Sequence, residues 1–123
     1  MAKHNDTGKL GEKHARDYLD GQGYEILDTN WRSGHKEVDI IAFKDGVIVF
    51  IEVKTRTDTD FGDPESFVDR AKQRSYVRLA NAYILQHDRS EEVRFDIIAV
   101  TLADDNVIIN HIENAFSTID TRR

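Results

Sequence analysis

The chain has 123 residues, of which 39% are hydrophobic and 33% charged, and it carries a net charge of −6. At this size a fold buries roughly two-thirds of the surface of the unfolded chain, so one domain spanning 1–123, with its core over about 7–117, is expected. The absence of cysteine excludes disulfides, thiolate zinc sites and cysteine nucleophiles. No run approaches the ~20 apolar residues of a membrane span, and MAKHNDTGK lacks a signal-peptide core, which points to a cytoplasmic protein without a membrane partner.

In chain order, residues 7 to 21 read as a helix: Asp6 or Thr7 can cap it, and Leu10, His14, Ala15, Tyr18 and Leu19 recur at helical spacing before Gly21 and Gly23. Residues 24 to 32 read as a first strand. KEVDIIAF (36–43) and VIVFIEVKT (47–55) are β-branched runs around Lys44-Asp45-Gly46, a hairpin signal. After the polar loop TRTDTDFGD, Pro64 suits the first turn of a long helix running to about His87. Residues 93–102 and 107–112 then read as two further strands around Asp104-Asp105-Asn106. The order α-β-β-β-α-β-β implies an α/β fold, a mixed sheet with helices packed on it.

If Asp45-Gly46 is a two-residue turn, Lys44 pairs with Val47, and counting back sets Asp39 opposite Glu52 and Glu37 opposite Lys54. All four would then share one face with Ile41, Phe43, Ile48 and Phe50. A three-residue turn would instead send Asp39 and Glu52 to opposite faces. Two carboxylates ~5 Å apart above an apolar floor repel unless paired, protonated or bridged by a cation. Oxygen ligands without cysteine or nearby histidine favour Mg²⁺ or Mn²⁺. Lys54 would orient a nucleophile or stabilise developing charge.

Two helices add to this constellation. Glu12 lies at the edge of the buried face of the first helix, where Gly8 and Gly11 allow close approach to the sheet, and it could complete a metal site. On the long helix Val68, Ala71, Ser75, Leu79, Ala82 and Tyr83 make the core face. Lys72 projects from that face towards a pocket, and Gln73 flanks it. Arg70, Arg74 and Arg78 form a stripe on the other side, which reads first as a solvated face. The five histidines are scattered without zinc-ligand spacing.

Gly11-Glu12, Asn30-x-Arg32, Glu37-Val38-Asp39-Ile40-Ile41, Phe50-Ile51-Glu52-Val53-Lys54-x-Arg56 and Lys72-Gln73 together resemble the uncharacterised YraN-like family of bacterial proteins. That family is similar to the PD-(D/E)xK nucleases, close to archaeal Holliday-junction resolvases. The resemblance covers about residues 7 to 117 and departs at Lys36-Glu37, where a Gly-Glu is usual. It implies a restriction-endonuclease-like fold, with metal ligands Asp39, Glu52 and Glu12 and a catalytic lysine, Lys54. Substrate contacts would come from Lys72, Gln73, Arg56 and Arg32.

The activity so implied is metal-dependent cleavage of DNA, selective for branched or single-stranded structures, and a symmetric junction would suit a homodimer. The alternative is a non-catalytic nucleic-acid-binding or adaptor module on the same fold. The net charge of −6 stands against any nucleic-acid partner unless the basic residues are gathered in one place.

Overall fold

The computed structural model describes residues 2–57 and 68–117, with backbone alone for 2–5. The elements run α1 (Ala2–Gly21), β1 (Glu25–Ser33), β2 (Lys36–Lys44), β3 (Val47–Thr57), α2 (Arg70–Gln86), β4 (Glu92–Leu102) and β5 (Val107–Phe116). This is the order read from the sequence. The strands form one sheet in the order β1-β2-β3-β4-β5, antiparallel except for the parallel β3–β4 pair, whose crossover carries α2.

The β2–β3 register follows from its turn. Lys44 pairs with Val47, and Asp45 and Gly46 have φ of 53° and 81°, the two positive values that a two-residue hairpin turn demands. Ile41 then faces Phe50, and Ile40 faces Ile51. There the β2–β3 pairing stops, while β3 continues alongside β4 as far as Thr57 opposite Leu102.

Strand alternation divides the core into two layers. Ala15 and Leu19 of α1 pack on Ile40, Ala42, Val49, Ile51, Ile98 and Val100. Tyr76, Leu79, Ala80 and Tyr83 of α2 pack on Ile41, Ile48, Phe50, Phe95 and Ile97 on the other face. Each such aliphatic or aromatic side chain contributes about 1.5–3 kcal/mol on burial. Helix α1 lies close against β3 at Gly11, where an added Cβ would come within 1.9 Å of the Thr55 hydroxyl. Gly8, also expected to allow close approach, has nothing within 4 Å of that position.

Three expectations are corrected. Helix α1 begins at Ala2 rather than near Thr7. Helix α2 begins at Arg70, capped by the Asp69 carboxylate, which accepts from the backbone N–H of Lys72; Pro64 lies outside the described residues. Its buried positions include Tyr76 and Ala80, whereas Ala71 is exposed.

Candidate active site

The parting of β2 and β3 creates the site. Beyond Ile40 the β2 strand has no β3 partner, and on β1 Asn30, between the partners of Ile40 and Val38, has a φ of 50°. Val38 and Ile40 join opposite layers, although regular alternation would place them together. The expectation that Glu37, Asp39, Glu52 and Lys54 share one face with Phe50 therefore fails. Glu37 pairs with Arg32 across the β1–β2 ladder, its carboxylate 2.8 Å from the guanidinium, and does not face Lys54.

Asp39 lies in the seam between the strands. Its carboxylate accepts from the backbone N–H of Val53 at 2.8 Å, a donor that a continuing β2–β3 ladder would have used. On the α1 side, carboxylate oxygens of Glu12, Glu37 and Asp39 all lie within 4.8 Å of one another. The Asn30 amide fixes two of them, donating to Glu12 at 3.1 Å and to Glu37 at 3.0 Å. Asn30 and Glu37 thus have positions in the site that strand counting did not assign.

Glu52 is 6% exposed and belongs to the α2 side. One oxygen accepts from the Tyr76 hydroxyl at 2.6 Å; the other lies 3.2 Å from the Lys72 ammonium and 3.8 Å from that of Lys54. Lys72 reaches into the site as its helical position predicts. Tyr76, absent from the sequence reading, is the buried group that spans both halves, since its oxygen also lies 3.5 Å from the backbone N of Asp39. The only available signal for it was an aromatic one turn from Lys72, which reads as ordinary core.

Glu12, Glu37, Asp39, Glu52, Arg56 and Lys72 line a single open cleft of about 930 Å³ at this end of the sheet. Arg56 also donates to the Thr101 hydroxyl on β4. Gln73 turns its amide back to the Val68 carbonyl at 2.9 Å, and Arg32 is held by Glu37; neither lines the cleft.

Burial, followed by the nearby charge of Glu52 and then by Glu12 and Glu37, pushes the Asp39 carboxyl up to about 8, against the smaller opposing effect of the Val53 hydrogen bond. At neutral pH it therefore holds a proton unless positive charge arrives beside it. Burial and the charges of Asp39 and Glu52 likewise raise the Tyr76 hydroxyl far above its ordinary value, so it acts as a hydrogen-bond donor.

The profile of the Uncharacterised protein family UPF0102 matches residues 11–100, from the glycine preceding Glu12 to the core of β4. The chain belongs to the UPF0102 family. A UPF0102 protein of Flavobacterium psychrophilum is 47% identical over 116 residues, which cover 94% of this chain and 98% of the relative. Relatives in Bacteroides thetaiotaomicron and Bacteroides fragilis are 47% and 48% identical, over 94% of this chain and 96% of theirs. This UPF0102 family is the YraN-like family that the motifs resemble. Among the described residues no helix is long and apolar enough to cross a membrane.

Proposed function

We propose that the chain is a metal-dependent phosphodiesterase acting on DNA, an endonuclease of the restriction-enzyme type. The observation that carries this reading is the division of one cleft into two halves. Three carboxylates converge on the α1 side, and on the α2 side stands a hydrogen-bonded glutamate with Lys72; Lys54, which does not itself line the cleft, lies 3.8 Å from that glutamate.

The α1 side suits a hard divalent cation because every donor is a carboxylate oxygen, with no cysteine or histidine among them. Asp39, Glu12 and Glu37 would hold it, with Glu52 adjacent; this adds Glu37 to the expected set. Bound there, Mg²⁺ or Mn²⁺ supplies Lewis-acid stabilisation to a phosphoryl group. On the other side Lys54 and Lys72 supply positive charge for a phosphate, and the Tyr76 hydroxyl fixes the orientation of Glu52 between them. Arg56 extends the positive wall of the cleft.

A nicking assay with Mg²⁺ or Mn²⁺ on branched, flapped, single-stranded and linear DNAs tests the reading. Cleavage is expected to fall by at least ~10³-fold in Asp39→Ala and Glu52→Ala. Absence of cleavage on every substrate, or cleavage indifferent to both substitutions, would remove the enzyme claim. Metal-independent, salt-sensitive binding without turnover would then favour a non-catalytic binding module.

A further inference from the structure

We propose that the outer ridge of α2, formed by Arg70, Arg74 and Arg78, is a docking surface for the phosphodiester backbone of a nucleic acid, gripping the strand outside the cleft. The proposal rests on the nuclease reading for the cleft and adds to it a separate site of binding.

The charge pattern of α2 is the starting point. In a chain of net charge −6, the helix RAKQRSYVRLANAYILQ contains four charged residues, and all are cations. Lys72 alone turns inward, to Glu52. The three arginines are exposed, and none takes part in an ion pair or hydrogen bond among the described residues. Arg89 and Arg94, both partly buried, do have carboxylate partners, in Glu91 and Asp96.

Helix stability does not account for this arrangement. Like charges four residues apart destabilise a helix, and cations in its first turn oppose the helix dipole. Arg70, Arg74 and Arg78 do the first and Arg70 and Lys72 do the second; the capping Asp69 carboxylate is the acid at that end, and the turn after it has none. A polyanion laid along the ridge offsets both penalties, and guanidinium is the side chain best matched to phosphate oxygens.

The geometry leads to the cleft. Residues four apart on a helix rise by ~6 Å, so the ridge spans ~12 Å as a line of evenly spaced forks. It lies opposite the face that buries Tyr76, Leu79, Ala80 and Tyr83. Between ridge and cleft stand Ala71 and Ser75, both lining the cleft and both short, so among the described residues of the helix nothing bulky separates the two surfaces. A strand leaving the cleft meets the arginines next. This gathers basic charge at one place and answers the objection raised by the net charge of the chain.

The test compares the intact chain with the combined Arg70→Gln, Arg74→Gln, Arg78→Gln variant. Binding to a labelled single-stranded oligonucleotide and to its duplex is followed by anisotropy in EDTA from ~50 to ~200 mM salt. The variant is expected to bind at least ~10-fold more weakly, and the slope of log affinity against log salt should become shallower by ~2 for the single strand and ~3 for the duplex. The corresponding triple Lys variant should retain most of the binding. Hydrolysis of bis(p-nitrophenyl) phosphate with Mn²⁺, a diester too small to reach the ridge, should be unchanged.

Unchanged affinity and slope in the Gln variant, or an intact chain that binds neither probe, overturns the ridge. Ridge-dependent binding in a chain that hydrolyses neither the small diester nor DNA supports the ridge and sinks the nuclease reading, so the two failures are distinguishable.

Discussion

Two aspartates meet the interior of this protein on opposite terms. Asp96, on β4, is fully buried, and every oxygen is engaged: Arg94 donates to both, the N–H of Asn114 to one at 2.9 Å, and His111 lies 2.7 Å from the other. Burial drives its carboxyl up, but His111, Arg94 and the Asn114 amide outweigh that and hold it below the ordinary carboxylate range. Asp39 has one amide donor and three acidic neighbours, and its carboxyl is pushed up to about 8. Depth of burial therefore does not by itself set which acid is held ionised. The balance of partners does.

The Asp96 network reaches further than its own strand. His111 lies 2.9 Å from the Tyr18 hydroxyl, and Arg94 receives support from Tyr24 at 2.7 Å, so the network ties α1 to β4 and β5. Removing its centre should have the largest effect on stability. Asp96→Ala leaves Arg94 and His111 without their buried anion and is expected to cost about 3–5 kcal/mol in denaturant unfolding. Because Asp96 is held low, its contribution is present above the ordinary carboxylate range and lost as pH falls through its folded value. The variant should show a flatter acid limb. Equal acid sensitivity in both proteins would break the contrast.

Asp39 carries the opposite sign. With a folded value near 8 and an unfolded value near 3.8, the native state keeps a proton that the unfolded chain has lost, so stability falls as pH rises from about 4 to about 8. In metal-free buffer Asp39→Asn should be more stable than the parent at pH 8, and that advantage should vanish towards pH 4. Added Mn²⁺ should raise the melting temperature of the parent and release protons at pH 7, and should do neither in the variant. Destabilisation of the variant at pH 8 would place Asp39 with Asp96 as a structural acid.

Gly11→Ala sharpens the comparison from the α1 side. The new methyl meets Thr55, and moving the helix away should cost about 2 kcal/mol while drawing Glu12 from Asp39. The pH dependence attributed to Asp39 should weaken with it, as read by denaturation at pH 5 and 8. The smallest effect is expected for Tyr76→Phe, about 1.5 kcal/mol, since Lys72 and Lys54 still face Glu52. A larger loss would show that the hydroxyl, rather than the lysines, keeps Glu52 in place.

The fold was legible wherever the signal was local. Asp45-Gly46 set the β2–β3 register, and Glu12, Asp39, Glu52 and Lys72 do come to one cleft. What escaped depended on distant chain or on broken periodicity. Counting by twos could not detect that β2 and β3 separate after Ile40, which sends Glu37 to Glu12 instead of Lys54. Tyr76 was not placed on the core face by helical spacing, yet it is core, with one polar atom at the site. The Asp96 network joins residues up to 93 positions apart, and no short motif announces it. The start of α2 was displaced because Pro64 signals a turn as readily as a helix, whereas the cap at Asp69 depends on its side chain reaching the Lys72 amide.

The end of the β2–β3 ladder at Ile40 and Ile51 has a consequence for how such a site can coexist with a stable sheet. A strand normally spends all its amides on its neighbours, and opening one ordinarily leaves buried donors unmatched. Here β3 keeps β4 on one side while its released Val53 amide is spent on the acid that most needs a partner. Backbone and cleft carboxylate thus share one hydrogen bond, so the protonation state of Asp39 bears directly on the seam at the middle of the sheet.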